Sequence, residues 1–429
     1  MQTHVLSTLV TMTGGVFEIG TLNFQSVPGN PACPPSTTWN QSGGVTTCTA
    51  FNGGATAIGG STIKNNGAWG PGRMTLTNCS FAVYGTMALK NGTDTEINVL
   101  ADTVFETGSI NGEGSASSVI RFDGGLWRGY TTATGGSEVK NLTHLYLARR
   151  TVLDTSDNRG IDLPQRYFYY INQKVEADPE STEEDIGLTV TGGGVVVFGT
   201  STFNKSTLTG PILATGATTL CPKTTSFNNS TVEVEPSCNL RQWDGGVTVV
   251  SNLTLGAAGA TDLILIDLNQ EKDAAKKLNN FVVTGDLDIR SPVAFRTHTL
   301  TSYYAFDMEP GTYTGLVFRA EIDLDLEKFT VPNDPLAKKT TYSVVTVPSG
   351  TYAGWKALLV KIAATAAGTP KTYDASGRVW TATSAGGVWH AAANWNGEEP
   401  PDGADEQANF LPATAAEVPV ALGGNPTAG

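Results

Sequence analysis

The sequence predicts a β-solenoid, and two observations carry that prediction. The first is a recurring phrase, two apolar residues five apart with turn-formers between them: MTGGVF from Met12, IGGSTI from Ile58, LTNCSF from Leu76, LADTVF from Leu100, FDGGLW from Phe122, LARRTV from Leu147 and VTGGGV from Val190. Between Ile58 and Leu147 the phrases begin 18, 24, 22 and 25 residues apart, and the outer gaps of 46 and 43 residues are close to two periods each. The second is the third residue of the phrase: Gly14, Gly60, Asn78, Asp102, Gly124, Arg149 and Gly192. All but Arg149 are Gly, Asn or Asp, which tolerate a left-handed backbone or a tight bend, so the phrase reads as strand, corner, strand.

A rung of short strands cannot bury its apolar face alone, so like positions stack at about 4.8 Å on the next rung. Met12, Ile58, Leu76, Leu100, Phe122, Leu147 and Val190 are expected as one interior ladder. Phe17, Ile63, Phe81, Phe105, Trp127, Val152 and Val195 are expected as another across the corner. A large antiparallel β-sandwich is the competing architecture for so strand-rich a pattern.

Composition agrees with the coil. Charged residues make up 16% of the 429, and there are 49 glycines; a typical soluble domain is about 25% charged. The net charge of −13 and the lack of a Lys/Arg cluster exclude nucleic acid as a partner. No apolar run approaches the roughly 18–20 residues of a membrane helix. The N-terminal MQTHVLSTLVTMTGG lacks the basic region and apolar core of a signal peptide. Its phrase at Met12 precedes any cap, although solenoid ends must be covered. The chain is therefore expected to be a monomeric segment of a longer polypeptide.

Residues 1–250 read as parallel β-helix with inserted loops at 24–52 and 161–187. Cys33 and Cys48 flank a Pro-rich stretch in the first loop, and Cys221 and Cys238 flank another irregular one. Their spacing allows two local disulfides, each closing a loop of about 15 residues and contributing about 3 kcal/mol. Cys79 reads as a small core residue, and the spacings fit no zinc pattern. Cysteine usage favours an oxidising, extracytoplasmic setting. In the second loop, RYFYYINQ reads as a strand packing aromatics over the coil, and Glu176, Asp178, Glu180, Glu183, Glu184 and Asp185 crowd together after it. Oxygen-rich clusters suit Ca²⁺, but this one lacks calcium-motif spacing and reads as a solvated loop.

Residues 188–220, with their triple glycine, apolar run, GTSTF, Thr-rich strand and GATTL, resemble the autotransporter-associated β-strand repeat. That resemblance implies a right-handed parallel β-helix, about one and a half rungs per repeat, in a secreted or surface-displayed bacterial passenger. Residues 251–372 continue as the β-rich end of the block. NNFVVTGDLDIRS places Leu287 and Ile289 on one face with Asp286 and Asp288 on the other. VFRAEIDLDLEKF does the same with Ile322, Leu324 and Leu326 against Asp323 and Asp325. LNQEKDAAKKLNN is the best helix candidate, and EPGTYTGLVF resembles the closing strands of such passengers. Residues 373–429 resemble the start of a further Trp-rich block, carried by Trp380, Trp389, Asn394, Trp395, Pro400 and Phe410.

Residues that could carry chemistry are few. Asp102 and Asp123 sit on neighbouring phrases, where two carboxylates could meet the roughly 5–9.5 Å spacing of a glycosidase. Asp154, Asp157, Asp162 and Arg159 form a second polar patch. Turn positions favour Asp for backbone reasons alone, so both read as structural. His144 alternates with apolar residues and faces outward, while His4, His298 and His390 have no evident partner. Gly192–Gly194 opens no helix and does not read as a phosphate cradle. No catalytic, cofactor or metal residue is assigned. The expected role is a non-enzymatic stalk or adhesive surface, extracellular or on an outer membrane, facing surface glycans or proteins of a host or neighbouring cell. The alternatives are a carbohydrate-active β-helix using Asp102 and Asp123, or a glycan-binding module using Trp389 and Trp395.

Overall fold

The computed structural model describes residues 2–6, 9–25, 37–53, 72–89, 94–112, 117–129, 137–156, 168–199, 202–203, 207–223, 226–228, 230–242, 247–269, 280–298, 311–330, 340–362, 378–380, 387–388, 408–410 and 420–421. They form two compact units, Met1–Ala363 and Ala364–Gly429. Among the described residues no helix is long and apolar enough to cross a membrane.

The first unit is a parallel β-helix. Its first wall stacks Leu9–Met12, Thr37–Gln41, Gly72–Leu76, Asp94–Leu100, Ser117–Asp123, His144–Leu147 and Val175–Ala177, every pair parallel. The second and third walls form one continuous sheet. In the early rungs one strand serves both: Val16–Gln25, Val45–Gly53, Ser80–Leu89 and Val104–Asn111 turn the corner unbroken. From Leu126 onward the corner opens and each rung uses two shorter strands, from Leu126–Gly129 and Ser137–Lys140 to Leu287–Ile289 and Val293–His298.

Register gives the interior. Phe17, Thr46, Phe81, Phe105, Trp127, Leu153, Val190, Ala214, Val234, Leu255 and Ile289 are successive partners along the second wall. On the first wall the column is Met12, Gln41, Leu76, Val99, Phe122, Leu147 and Ala177. Aromatic rings run through the core between these columns. Phe81 stacks on Phe105 at 6.2 Å, Phe105 meets Phe122 at 5.8 Å, and Phe122 stacks on Trp127 at 5.1 Å. Trp127 reaches Tyr169 at 5.8 Å and donates its indole N–H to the phenol oxygen at 3.2 Å. Burial pushes the Tyr169 phenol up to about 12, against hydrogen bonds from Thr107 and Trp127.

Four ladder assignments need correction. Val99, not Leu100, is the buried member, and Leu153 replaces Val152. Val190 belongs to the second wall rather than the first. Val195 lies on the third wall and packs with Val197 and Cys221 in a cluster apart from the main core. For Leu100 and Val152 the cause is the two-residue period of a strand, in which a slip of one residue exchanges the faces; Val190 and Val195 move because VTGGGV spans the corner between the second and third walls. Ile58 and Ile63 lie outside the described residues. Phe168–Asn172 is the strand expected of RYFYYINQ, and the stretches expected as loops contain further rungs: Thr37–Gln41 and nearly all of Val45–Gly53 in 24–52, and Val175–Ala177 in 161–187.

The first corner carries the expected left-handed residues at Asn78, Asp102 and Gly124 (φ 46°, 58° and 84°). Gly15 and Gly44 (φ 89° and 75°) supply it in the first two rungs, where Gly14 had been expected. Arg149 turns the corner without a positive φ, whereas Gly192 (φ 95°) serves the corner between the second and third walls.

The first wall's sheet stops at Ala177, and a new one starts at Val247–Val250. Between them, irregular segments keep the rung-to-rung bonding, with Val175 N–H to Thr202 O, Phe203 N–H to Ser226 O and Ser251 N–H to Ser230 O. Phe198, Phe203 and Phe227 fill the interior there. The new sheet pairs Val247–Val250, Asn280–Val283 and Gly311–Phe318 in parallel, then ends in the antiparallel strands Lys356–Ile362 and Thr340–Thr346.

Leu287 and Ile289 pack on the core with Asp286 and Asp288 exposed, as do Ile322 and Leu324 with Asp323 and Asp325 exposed. Leu326 breaks the expected alternation and is exposed. Asp325 caps a single 3-10 turn, Leu326–Lys328, that rotates it away. The interior of LNQEKDAAKKLNN lies outside the described residues.

Cys238 is a free thiol buried in the main core, so the Cys221–Cys238 bridge is not made. The two side chains belong to different clusters, Cys221 packing with Val195 and Val197. Cys33 lies outside the described residues, as does the side chain of Cys48. In the second unit, Arg378–Trp380 pairs in parallel with Ala408–Phe410, and Gly387–Val388 with Val420–Ala421. Trp389, Asn394, Trp395 and Pro400 lie outside the described residues.

Candidate functional site

Alternate residues of the first wall point away from the core, so strand register lines them into outward columns. One runs Arg73, Glu96, Val119, His144, and the next runs Thr75, Asn98, Arg121, Tyr146, Glu176. Arg121 joins them. Its Nη1 donates to Glu96 Oε1 at 3.0 Å and to Asn98 Oδ1 at 3.2 Å, and its guanidinium sits 5.9 Å from the Tyr146 ring centre. Its Nε lies 2.6 Å from Asp178 Oδ2, a close charge contact without the alignment of a hydrogen bond.

His144 faces outward as expected, stacked on Tyr146 at 4.8 Å with an interplanar angle of 10°. Its Nδ1 lies 3.5 Å from Glu176 Oε2, and Lys174 bonds the other oxygen of that carboxylate. Burial works against ionisation of Glu176, but the hydrogen bond and charge of Lys174, followed by those of His144, hold it below the usual range. Tyr146 is pushed up, first by burial and then by the charges of Glu176 and Asp178.

The acidic segment after Glu176 is strapped to this wall rather than merely solvated. Asp178 faces Arg121, and Ser181 donates to the Ala148 carbonyl. Arg149 spans Asp123 Oδ1 at 2.5 Å and Glu183 Oε1 at 3.9 Å. Arg150 takes Asp185 with two bonds of 2.7 and 2.5 Å, holding that carboxyl below its ordinary value. Glu180 and Glu184 remain exposed. Among the described residues no group of three or more His, Cys, Asp or Glu side chains could hold a metal ion.

Asp102 forms a left-handed corner, while Asp123 gives its carboxylate to Arg149. Asp154 accepts from Arg128 Nε at 3.3 Å and from the Ser156 N–H at 2.9 Å; Asp157, Arg159 and Asp162 lie outside the described residues. The triple glycine is a wall corner whose N–H groups serve threonines, Gly193 to Thr218 and Gly194 to Thr155. Among the described residues, Glu138, Glu176 and Asp185 are carboxylates held below their ordinary range. A general acid working near neutrality needs the opposite displacement.

Reading the sequence missed Arg121, Tyr146, Arg149 and Arg150 as the residues that organise this face. The alternation in SVIRFD and HLYL marks Arg121 and Tyr146 as outward, but their partners come from other rungs. No family model matches this chain, no curated protein matches it, and no solved structure matches its fold. What fold and site define together is a parallel β-helix whose first outer wall is a cross-rung network of paired charges.

Proposed function

We propose that the chain is a non-enzymatic passenger-type β-helix, a stalk or adhesive surface displayed outside the cell. One observation carries this reading: the carboxylates Glu96, Asp123, Asp178 and Asp185 are each engaged by an arginine from another rung, and Glu176 by the neighbouring Lys174. Such a face supports length and cohesion, whereas carboxylate catalysis needs groups left available for proton transfer. The eleven positions of the second-wall column give an axial span of about 48 Å at the usual rung spacing. The likeness of residues 188–220 to the autotransporter-associated repeat supports the same reading. That stretch contains Leu188–Thr191, Val195–Phe198, Ile212–Ala214 and the start of Thr219–Pro222, close to the one and a half rungs expected of a repeat.

The test pairs two measurements on the purified chain. Incubation with neutral and acidic polysaccharides should release neither reducing ends nor unsaturated uronates, and cells displaying the chain should gain adhesion to glycan- or protein-coated surfaces. Turnover that is lost in Asp123→Asn would replace this reading with the carbohydrate-active alternative.

A further inference from the structure

Five Asn-x-Ser/Thr triplets have a described asparagine: Asn40, Asn78, Asn141, Asn228 and Asn252. The triplet is the acceptor pattern for asparagine-linked saccharides, and surface turns are where such a saccharide can be accommodated. The coil sorts these five. Asn252 is committed, donating to Thr231 Oγ1 at 3.3 Å and accepting from the Asp286 N–H at 2.8 Å. Asn228 has its side-chain oxygen buried. Asn141 is exposed but donates its amide to Asn111 Oδ1 at 2.9 Å. Asn40 lies half-buried within the first wall, between Thr11 and Thr75 of the adjoining rungs.

Asn78 differs from all four. It is exposed at the left-handed first corner (φ 46°), where its backbone N–H is fixed to the Ala101 carbonyl at 3.2 Å. Its side-chain amide makes no hydrogen bond among the described residues. Cys79 beside it is buried, and the Ser80 N–H is bonded to the Gly44 carbonyl at 3.0 Å, so the triplet is held with the asparagine outermost.

We infer that Asn78 is an acceptor for an N-linked saccharide. The donor is a sugar activated on a phosphate or pyrophosphate. Asn78 Nδ2 bonds to the anomeric carbon, the anomeric C–O bond to the donor breaks, the phosphate leaves with the electron pair, and the amide proton passes to a base of the transferase. At this corner the saccharide projects sideways from the coil and displaces no rung-to-rung bond. The inference stands whether the coil is a stalk or an enzyme.

The experiment is glycopeptide mapping by mass spectrometry of the full chain recovered from the cells that produce it, with Asn78→Gln and Ser80→Ala beside the wild type. The peptide containing Asn78 is expected to carry sugar mass, and enzymatic removal of the sugar should convert Asn78 to Asp. Ser80→Ala should lose the sugar while keeping the asparagine and the fold, read as an unchanged circular-dichroism spectrum. Unmodified Asn78 in the wild type would overturn the inference. So would equal occupancy at Asn228 or Asn252, or sugar retained in Ser80→Ala.

Discussion

The register of the first wall can be tested at two adjacent residues. Val99 is fully buried between Leu76 and Phe122, whereas Leu100, one residue later, is only half-buried as the chain enters the corner. Threonine matches valine in shape, so Val99→Thr leaves no cavity. It exchanges a buried methyl, worth about 0.8 kcal/mol, for a hydroxyl whose burial without a partner costs about 1–3 kcal/mol. The expected loss is roughly 2–4 kcal/mol. Leu100→Thr removes more carbon but from a site in contact with water, and should cost under about 1 kcal/mol. Urea unfolding followed by circular dichroism gives both values. Amide exchange across Asp94–Leu100 and Ser117–Asp123 is the second readout, because repeat arrays can depart from two-state behaviour. A larger loss for Leu100→Thr than for Val99→Thr would refute the register, and with it the assignment of which face of this wall is the interior.

Three further outcomes follow from the corner, the acidic strap and the buried thiol. Gly44→Ala should cost about 2 kcal/mol, because the new methyl at φ 75° would sit 2.4 Å from the Gly15 carbonyl oxygen. Gly14→Ala, with nothing within 4 Å, should be near neutral in the same thermal or urea unfolding. Glu176 and Asp185 have folded pKa values below their ordinary 4.5 and 3.8, so their contribution is present above those values and is lost as pH falls through the lower folded ones. Limited proteolysis within 178–186 should therefore accelerate below about pH 4 and, because these pairs are partly exposed, with added salt. Resistance unchanged at both would remove the ion pairs as the strap. Burial pushes the Cys238 thiol up and shields it, so iodoacetamide should label it only after denaturation. Rapid labelling of Cys238 in the folded chain would contradict its place in the core.

The repeating phrase was legible because it is local: apolar spacing and turn residues set strand and corner without reference to anything distant. That is why Phe17, Phe81, Phe105 and Trp127 could be placed in one column and Asn78, Asp102 and Gly124 in left-handed corners. Register was harder to read. Corners of slightly different length shift the face by one residue, so Leu100 and Val152 were mistaken for their buried neighbours Val99 and Leu153. Gln41 and Thr46 occupy interior columns that an apolar pattern could not show, and they satisfy each other through a 3.0 Å hydrogen bond.

The sequence by itself determined that this chain winds as a coil and which residues could turn its corners, because both depend on nearest neighbours along the backbone. Only the tertiary structure decided what the outer wall does with its charges. Arg121 and Asp178 come from rungs two apart and Arg150 and Asp185 from adjacent rungs, and they meet because parallel stacking brings residues distant in sequence side by side. An ion pair depends on distance in space, and that distance is set by the winding of the coil.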